Sequence, residues 1–387
     1  MLAIQVDRGR ALAALGGLLC ALLAGGCAER RAVDADWPPG ALLVARTAVL
    51  AELATRARVL ESTPLARVAA ELQARLPDCD RVEAHAPDGR IDALIDALRC
   101  SEPGSALADV RDARGPRDVI LALPVAGAGR AVALATLSPE ALEVDVEWVG
   151  GGASGPLALL LPGDTAAGPA RLSEALRLVH LRVRPEAGID VGALVADGSQ
   201  ADQLFRLRAA LFSSAVLDGA WEGAIYLPPD GGETPRVAVA LDVAHRSAAM
   251  AAAEAFVADL ARTWQLRPVP FRIGEAPGSC LPDLALLPEL APCYVATEAA
   301  LVVGWNAASL RHALAATPDE ATAGEPGYAE LDLALFTEAD ALLSRHLGAE
   351  DRPHPLRWPW RRAVARAARD ADGTLRLRLR LEGGLDT

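Results

Sequence analysis

The hydrophobic pattern of the chain changes repeatedly between strand-like and helix-like spacing. Strict alternation of apolar and polar residues is typical of a strand with one packed face and one wet face. It is clearest at residues 375–381, where four leucines alternate with three arginines. Similar runs, several of them joined by glycine- or proline-rich turns, predict further strands and hairpins. The predicted strands cover residues 41–48, 118–124, 130–137, 142–149, 157–161, 178–184, 221–227, 236–243, 294–297, 300–303, 362–369 and 374–381.

Apolar residues three and four positions apart predict helices between these strands. One helix follows Thr63-Pro64, an N-cap with proline at the first helical position, and another follows the capping residue Asn306. Thr337 with Asp340 resembles a capping box. The remaining helices are expected at residues 91–98, 201–216 and 247–264.

Hairpins interrupted by helices, without regular βαβ alternation, predict an α+β fold. We expect a mainly antiparallel sheet with helices packed on one face. In residues 41–217 and again in residues 218–387, predicted hairpins are followed by helices, and each segment holds one cysteine pair. They are therefore interpreted as an N-terminal and a C-terminal α+β half that are related to each other.

The first 26 residues have the pattern of a signal peptide. Arg8 and Arg10 precede an uncharged stretch, which ends in Leu23-Ala24-Gly25-Gly26 before Cys27. This ending resembles the lipobox of bacterial lipoproteins, although Leu23 lies one position further from the cysteine than in the commonest pattern. The resemblance implies removal of the leader and acylation of Cys27. An ordinary secretory leader, cleaved elsewhere, is the alternative.

The segment after the predicted cleavage site is expected to be a tether. Residues 27–40 carry charges and a Pro38-Pro39 pair, which is typical of a spacer between a membrane anchor and a folded body. Residue 28 is alanine, not the aspartate that retains many lipoproteins at the inner membrane. The lipoprotein resemblance therefore implies a lipid-anchored protein of the cell envelope, at the outer membrane and facing either the periplasm or the cell surface.

The cysteine count agrees with export to an oxidising compartment. Cys20 belongs to the leader and Cys27 to the anchor, which leaves four cysteines in the body. Proximity in the sequence favours pairing Cys79 with Cys100 and Cys280 with Cys293 among the three possible connectivities. A zinc site is the competing interpretation, but no C-x-x-C motif or adjacent histidine pair accompanies them.

Composition excludes several functional classes. All 38 basic residues are arginines, so the chain cannot use a Schiff-base lysine or a P-loop lysine. The 51 acidic residues give a formal charge of −13, which argues against nucleic acid as a partner. Past the leader, no apolar run approaches the length of a membrane span.

Local motifs for catalysis, cofactors or metals are weak. Gly127 and Gly129 form a G-x-G, but Val132 stands where a dinucleotide fingerprint needs glycine, so a hairpin turn is preferred. The six histidines are dispersed, and the Asp370–Gly373 segment lacks the distal ligands of a calcium loop. We therefore predict no catalytic, cofactor-binding or metal-binding residue, and no cofactor.

The arginines of the last predicted strand form the most distinct charged surface. Arg376, Arg378 and Arg380 point to one side of that strand. Like charges at this spacing repel, so as an interaction face it would meet the acidic side chains of a neighbour or a partner, or anionic headgroups. The alternative is a solvated face balanced by acidic residues of the same chain. Glu143, Asp145 and Glu147 form an acidic face on another predicted strand.

These observations favour a non-enzymatic envelope lipoprotein with a structural, adaptor or binding role. Its partners would be the membrane, through Cys27, and an envelope protein. One alternative is a carrier of lipids or lipoproteins with an apolar cavity between sheet and helices; another is an exported hydrolase without a recognisable motif. The Ala300–Gly304 strand, its following capped helix and a strand at 331–333 loosely resemble exported bacterial proteins of unknown function, a resemblance that implies no activity.

Overall fold

The computed structural model divides the chain into two compact units. The first contains residues 1–154, 353–365 and 369–387, and the second contains residues 155–352 and 366–368. These limits differ from the halves expected at 41–217 and 218–387. The structure describes residues 39–58, 64–103, 105, 107, 117–125, 129–149, 161–185, 216–228, 235–282, 291–315, 324–337, 358–370 and 373–383.

The first unit is built on antiparallel strands in the order β15-β16-β6-β5-β4-β1-β2-β3. Its strands are β1 (Ala41–Arg46), β2 (Arg81–Ala86), β3 (Arg99–Cys100), β4 (Val119–Val125), β5 (Gly129–Leu137), β6 (Ala141–Val149), β15 (Arg362–Arg369) and β16 (Leu375–Glu382). Its helices are α1 (Thr47–Arg58), α2 (Pro64–Arg75) and α3 (Ile91–Asp96).

The central strand β1 is buried on both faces. This explains why its first five residues are apolar without interruption, because alternation is expected only where one face meets water. Leu43 faces a core that receives residues from α1, α2 and α3. Leu42 faces the opposite core, which includes Leu107 and Ile120. In this unit α1, α2 and α3 lie against one face of the sheet, whereas Leu107 packs in the core on the other face.

The second unit has antiparallel strands in the order β10-β11-β12-β13-β9-β8-β7-β14. Its strands are β7 (Arg177–Val183), β8 (Leu217–Tyr226), β9 (Arg236–Val243), β10 (Val269–Ile273), β11 (Ala276–Cys280), β12 (Cys293–Ala296), β13 (Ala300–Gly304) and β14 (Gly327–Asp332). Its helices are α4 (Arg246–Trp264) and α5 (Ala307–Ala313). The mainly antiparallel sheet is thus confirmed, and the few helices agree with the predicted α+β class.

Helices of the second unit lie on both faces of its sheet. Leu301 packs in the same core as Ala252 of α4. Its neighbour Val302 points the other way and packs in a core with Leu310 of α5. The prediction of helices on one face is therefore wrong for this unit, because period-two alternation shows which residues share a face but not that both faces are covered.

Several local predictions need correction. Trp264, the last residue of α4, is 47% exposed, and the buried residues of this helix are Ala249, Ala252, Ala253 and Ala261. The helix expected at residues 91–98 ends at Asp96, and Cys100 lies in the short strand β3. The helix that the capping box at Thr337 predicted begins earlier, at Leu333.

The hairpin of β10 and β11 was not predicted. Its prolines, Pro270 and Pro277, break the apolar pattern from which strands are recognised. The predicted strand at 157–161 and helix at 201–216 fall almost entirely outside the described residues. Among the helices that the structure describes, none combines the length and the apolar character needed to cross a bilayer.

Candidate functional site

The second unit contains a network of charged side chains on one buried sheet face. His180 and Arg182 project from β7, Glu222 from β8 and Asp242 from β9. Arg182 lies directly opposite Glu222 in the strand register. His180, Arg182 and Glu222 are at most 1% exposed. Charged residues are rarely so deeply buried unless they are paired, so their partners determine what this site can do.

Arg182 connects the sheet to the segment at residues 167–172, which covers this face and is called the covering segment. Its Nη1 donates to Glu222 Oε2 at 3.1 Å, and its Nη2 donates to Asp242 Oδ2 at 2.9 Å. The same guanidinium donates to two backbone carbonyl oxygens, those of Ala167 and Gly168. One side chain thus pairs with two carboxylates and holds two consecutive peptide groups.

Glu222 provides the complementary acceptors. Its Oε1 accepts from His180 Nε2 at 2.8 Å and from the Leu172 amide at 3.2 Å, and its Oε2 accepts from the Arg171 amide at 2.5 Å. Burial alone raises the pKa of Glu222, but the hydrogen bonds and charges of His180, the Arg171 amide and Arg182 outweigh it and hold the pKa below the usual glutamate value. Glu222 therefore stays ionised.

Asp242 lies at the more open side of the network, with its side chain 11% exposed. Its Oδ1 accepts from Arg171 Nε at 3.3 Å, in addition to the bond from Arg182. Burial raises the pKa of Asp242, and the two arginines offset this effect only in part. The two carboxylates of the network are thus shifted in opposite directions by their surroundings.

Aromatic and charged groups surround this network on the same unit. The rings of His180 and Tyr328 lie 5.5 Å apart, and Tyr328 donates to Glu330, which also pairs with Arg177. The ring of Tyr226 meets His312 edge-on at 4.7 Å. Burial and the nearby charge of Glu222 raise the pKa of Tyr226, so its hydroxyl remains protonated.

The His180–Glu222 pair is the combination that the hydrolase alternative requires. However, both side chains have no exposed surface, and the Arg171 and Leu172 amides cover the carboxylate. The network binds the segment at residues 167–172 to the sheet, and its chemistry is that of a structural connection.

A hollow of about 330 Å³ lies beside the same covering segment. Asp164 and Thr165 line it on one side, and Arg184 and Asp218 on the other. Arg184 Nη2 and Asp218 Oδ1 are 3.7 Å apart. Ligand sites are usually lined by apolar side chains with a few polar groups, whereas this hollow is mainly polar.

The predicted arginine face in the first unit meets acids of the same chain. In the register of β16 and β6, Arg376, Arg378 and Arg380 lie opposite Glu147, Asp145 and Glu143. Arg378 Nε lies 3.0 Å from Asp145 Oδ1, and Arg380 Nη1 lies 2.7 Å from Glu143 Oε1. Arg376 Nε pairs with Asp370 at 2.8 Å. The structure therefore agrees with the alternative of a solvated, internally balanced face.

The four body cysteines are joined as proximity favoured. Cys79 bonds to Cys100 in the first unit, and Cys280 bonds to Cys293 in the second. Each disulfide connects neighbouring parts of its own unit, and the second links the directly opposed residues of β11 and β12. The predicted lipidation residue, Cys27, lies outside the described residues.

The sequence predicted no metal-binding or cofactor-binding residue. Within the part of the chain that the structure describes, no group of three or more His, Cys, Asp or Glu side chains is placed to hold a metal ion. The first glycine of the G-x-G turn, Gly127, lies outside that part, although the flanking strands β4 and β5 do form the predicted hairpin.

The buried charge network was not predicted from the sequence. A signal was present, because His180, Arg182 and Glu222 lie within strands that are otherwise mainly apolar. A polar residue in such a strand usually lies on a wet face. The network forms because the segment at residues 167–172 covers this face of the sheet.

Comparison with known proteins identifies no relative: no protein-family model, no curated protein and no solved structure matches the chain.

Proposed function

We propose that the chain is an exported lipoprotein, anchored through acylated Cys27, whose two-unit body has a non-enzymatic structural, adaptor or binding role in the cell envelope. The observation that carries the proposal is the pairing of all four body cysteines into two local disulfides. Disulfides persist in oxidising compartments outside the cytosol, which is where the leader ending in Cys27 would deliver the chain.

The charged groups of the body support a structural role over a catalytic one. The most deeply buried cluster, around Arg182 and Glu222, fixes a backbone segment, and these two side chains have no exposed surface. The acidic and basic residues of β6 and β16 pair with one another across an exposed sheet surface. Contact with an envelope protein and an outer-membrane location are parts of the same proposal.

The carrier and hydrolase alternatives receive less support. A carrier needs an apolar cavity, whereas the hollow beside residues 163–165 is lined mainly by polar groups. A hydrolase needs an accessible nucleophile or carboxylate beside a histidine, and the His180–Glu222 pair is buried. We also propose that the two halves are related to each other, because both have the same order of hairpins and helices.

Metabolic labelling with an alkyne fatty acid tests the anchor. We expect labelling of the wild-type protein and of Cys20→Ala, because Cys20 belongs to the removed leader, and loss of labelling in Cys27→Ala. Equal labelling of the wild type and Cys27→Ala would contradict the proposal. Cross-linking in intact envelopes, followed by identification of the bound proteins, would then name the partner class.

A further inference from the structure

The chain enters the first unit through a fixed junction at residues 39 and 40. The carbonyl oxygen of Pro39 accepts from His85 Nε2 at 2.7 Å, and that of Gly40 accepts from Arg130 Nη2 at 3.3 Å. Gly40 has a φ of 95°, and a side chain there would overlap the backbone at Ala86 and Pro87. The junction therefore needs glycine and is held from strands on both sides of β1.

This junction marks one end of the first unit. Strand β1 begins there, and the antiparallel pairing places the end of β2, the end of β4 and the start of β5 beside it. We call this the proximal end; it includes Gly40, the turn at Pro87–Arg90 and Arg130. The distal end includes Ser138–Glu140, at the turn between β5 and β6. The nine residues of β5 separate the two ends by about 30 Å.

The length of the tether limits how far the proximal end can be from the anchor. Pro39 follows Cys27 by twelve residues. A fully extended chain of that length spans at most about 43 Å. A flexible one has a root-mean-square span of about 20 Å, which is less than the length of the sheet along its strands.

We propose that the proximal end faces the lipid surface that holds Cys27, and that the distal end points away from it. This inference rests on the proposed acylation of Cys27. The junction contributes a defined exit direction, because both of its backbone carbonyls are held. At this end Arg90, with 69% of its side chain exposed, lies 3.4 Å from Asp92, so the charge of this arginine is balanced locally.

Energy transfer to the membrane tests the orientation. Arg90→Cys and Glu140→Cys each place one thiol at an exposed position, one at each end. In the mature chain the other cysteines are blocked, four of them in disulfides and Cys27 by the proposed acyl group, so the dye reacts with the introduced thiol. The full-length lipoprotein, labelled there with a donor dye, is reconstituted into vesicles of phosphatidylethanolamine and phosphatidylglycerol that carry a rhodamine-labelled lipid.

We expect at least about twofold more transfer from position 90 than from position 140, given the separation of the two ends and the span of the tether. Vesicle-bound protein with equal transfer, or more from position 140, would overturn the orientation alone. Protein that does not float with the vesicles and carries no fatty acid would overturn the anchor and this inference together. The two failures are therefore distinguished in one preparation.

Discussion

Glu222 and Arg182 face each other across β8 and β7, 3.1 Å apart between Oε2 and Nη1, and neither side chain is exposed to water. Together they form hydrogen bonds with both the N–H and the C=O groups of the covering segment. Glu222 accepts from the amides of Arg171 and Leu172, and Arg182 donates to the carbonyls of Ala167 and Gly168. The pair thus satisfies four backbone groups of this segment.

Glu222→Gln is expected to lower the free energy of unfolding by about 3–5 kcal/mol. The change leaves the charge of Arg182 less compensated in the core and substitutes an amide donor for one carboxylate oxygen. Glu143→Gln is the matched control, because Glu143 pairs with Arg380 at an exposed position; we expect a cost of at most about 1 kcal/mol. Urea unfolding measures both, and equal losses would contradict a special role for Glu222.

The contribution of Glu222 should depend on pH. Its pKa in the folded protein lies below its usual value of 4.5, so the folded state binds this proton less readily than the unfolded state. The stability that it contributes is complete above pH 4.5 and is lost as the pH falls through the folded pKa. The stability difference between wild type and Glu222→Gln should narrow under acid. A difference that stays constant from pH 7 to pH 3 would be inconsistent with the lowered pKa.

Charge reversal should reveal the pairing of β16 with β6. Arg378→Glu places an acid opposite Asp145, and we expect a loss of about 1 kcal/mol that shrinks at high salt. The reciprocal variant, Arg378→Glu with Asp145→Arg, should recover part of the loss, because the pair is restored with its charges exchanged while Arg117, 3.6 Å from Asp145, meets a like charge. Urea unfolding at low and high ionic strength provides the measurement. No recovery in the double variant would contradict the observed register.

Gly278→Ala should disturb the pairing of β11 with β12. A Cβ at this position would overlap the carbonyl oxygen of Tyr294, a backbone atom that cannot move away freely. We expect a cost of about 1–3 kcal/mol. Gly324→Ala is the control, since a Cβ there has open space around it. Thermal unfolding compares the two variants, and an equal, small effect of both would argue against the close approach of these strands.

Asn306→Ala should weaken the start of α5. The Asn306 side chain accepts from the Ser309 amide at 2.8 Å, and loss of such a cap costs about 1 kcal/mol. Asn306→Asp should retain most of the stability, because aspartate offers the same acceptor. Chemical denaturation of the two variants checks this, and equal losses would show that the cap contributes little.

Much of the local structure, namely strands, turns, a helix cap and the disulfides, could be predicted from the sequence. The hairpin of β4 and β5 and the long strands β8 and β9 follow from apolar periodicity and turn residues, which act over a few neighbouring positions. Asn306 was recognised as a cap for the same reason. Both disulfides join cysteines close in sequence, so proximity was sufficient to rank their pairing.

The burial and the ion pairing of the charged residues could not be predicted in the same way. Arg378 is balanced by Asp145, 233 positions away, because strand order places β16 beside β6. His180 and Arg182 have the alternation of a wet strand face, and only the segment packed over them makes that face a core. The sequence by itself determined most of the strands and turns and ranked the cysteine pairs, since these depend on short-range geometry. The tertiary structure decided which charges are buried and which acid neutralises each base, because burial and pairing depend on residues that are distant in the chain.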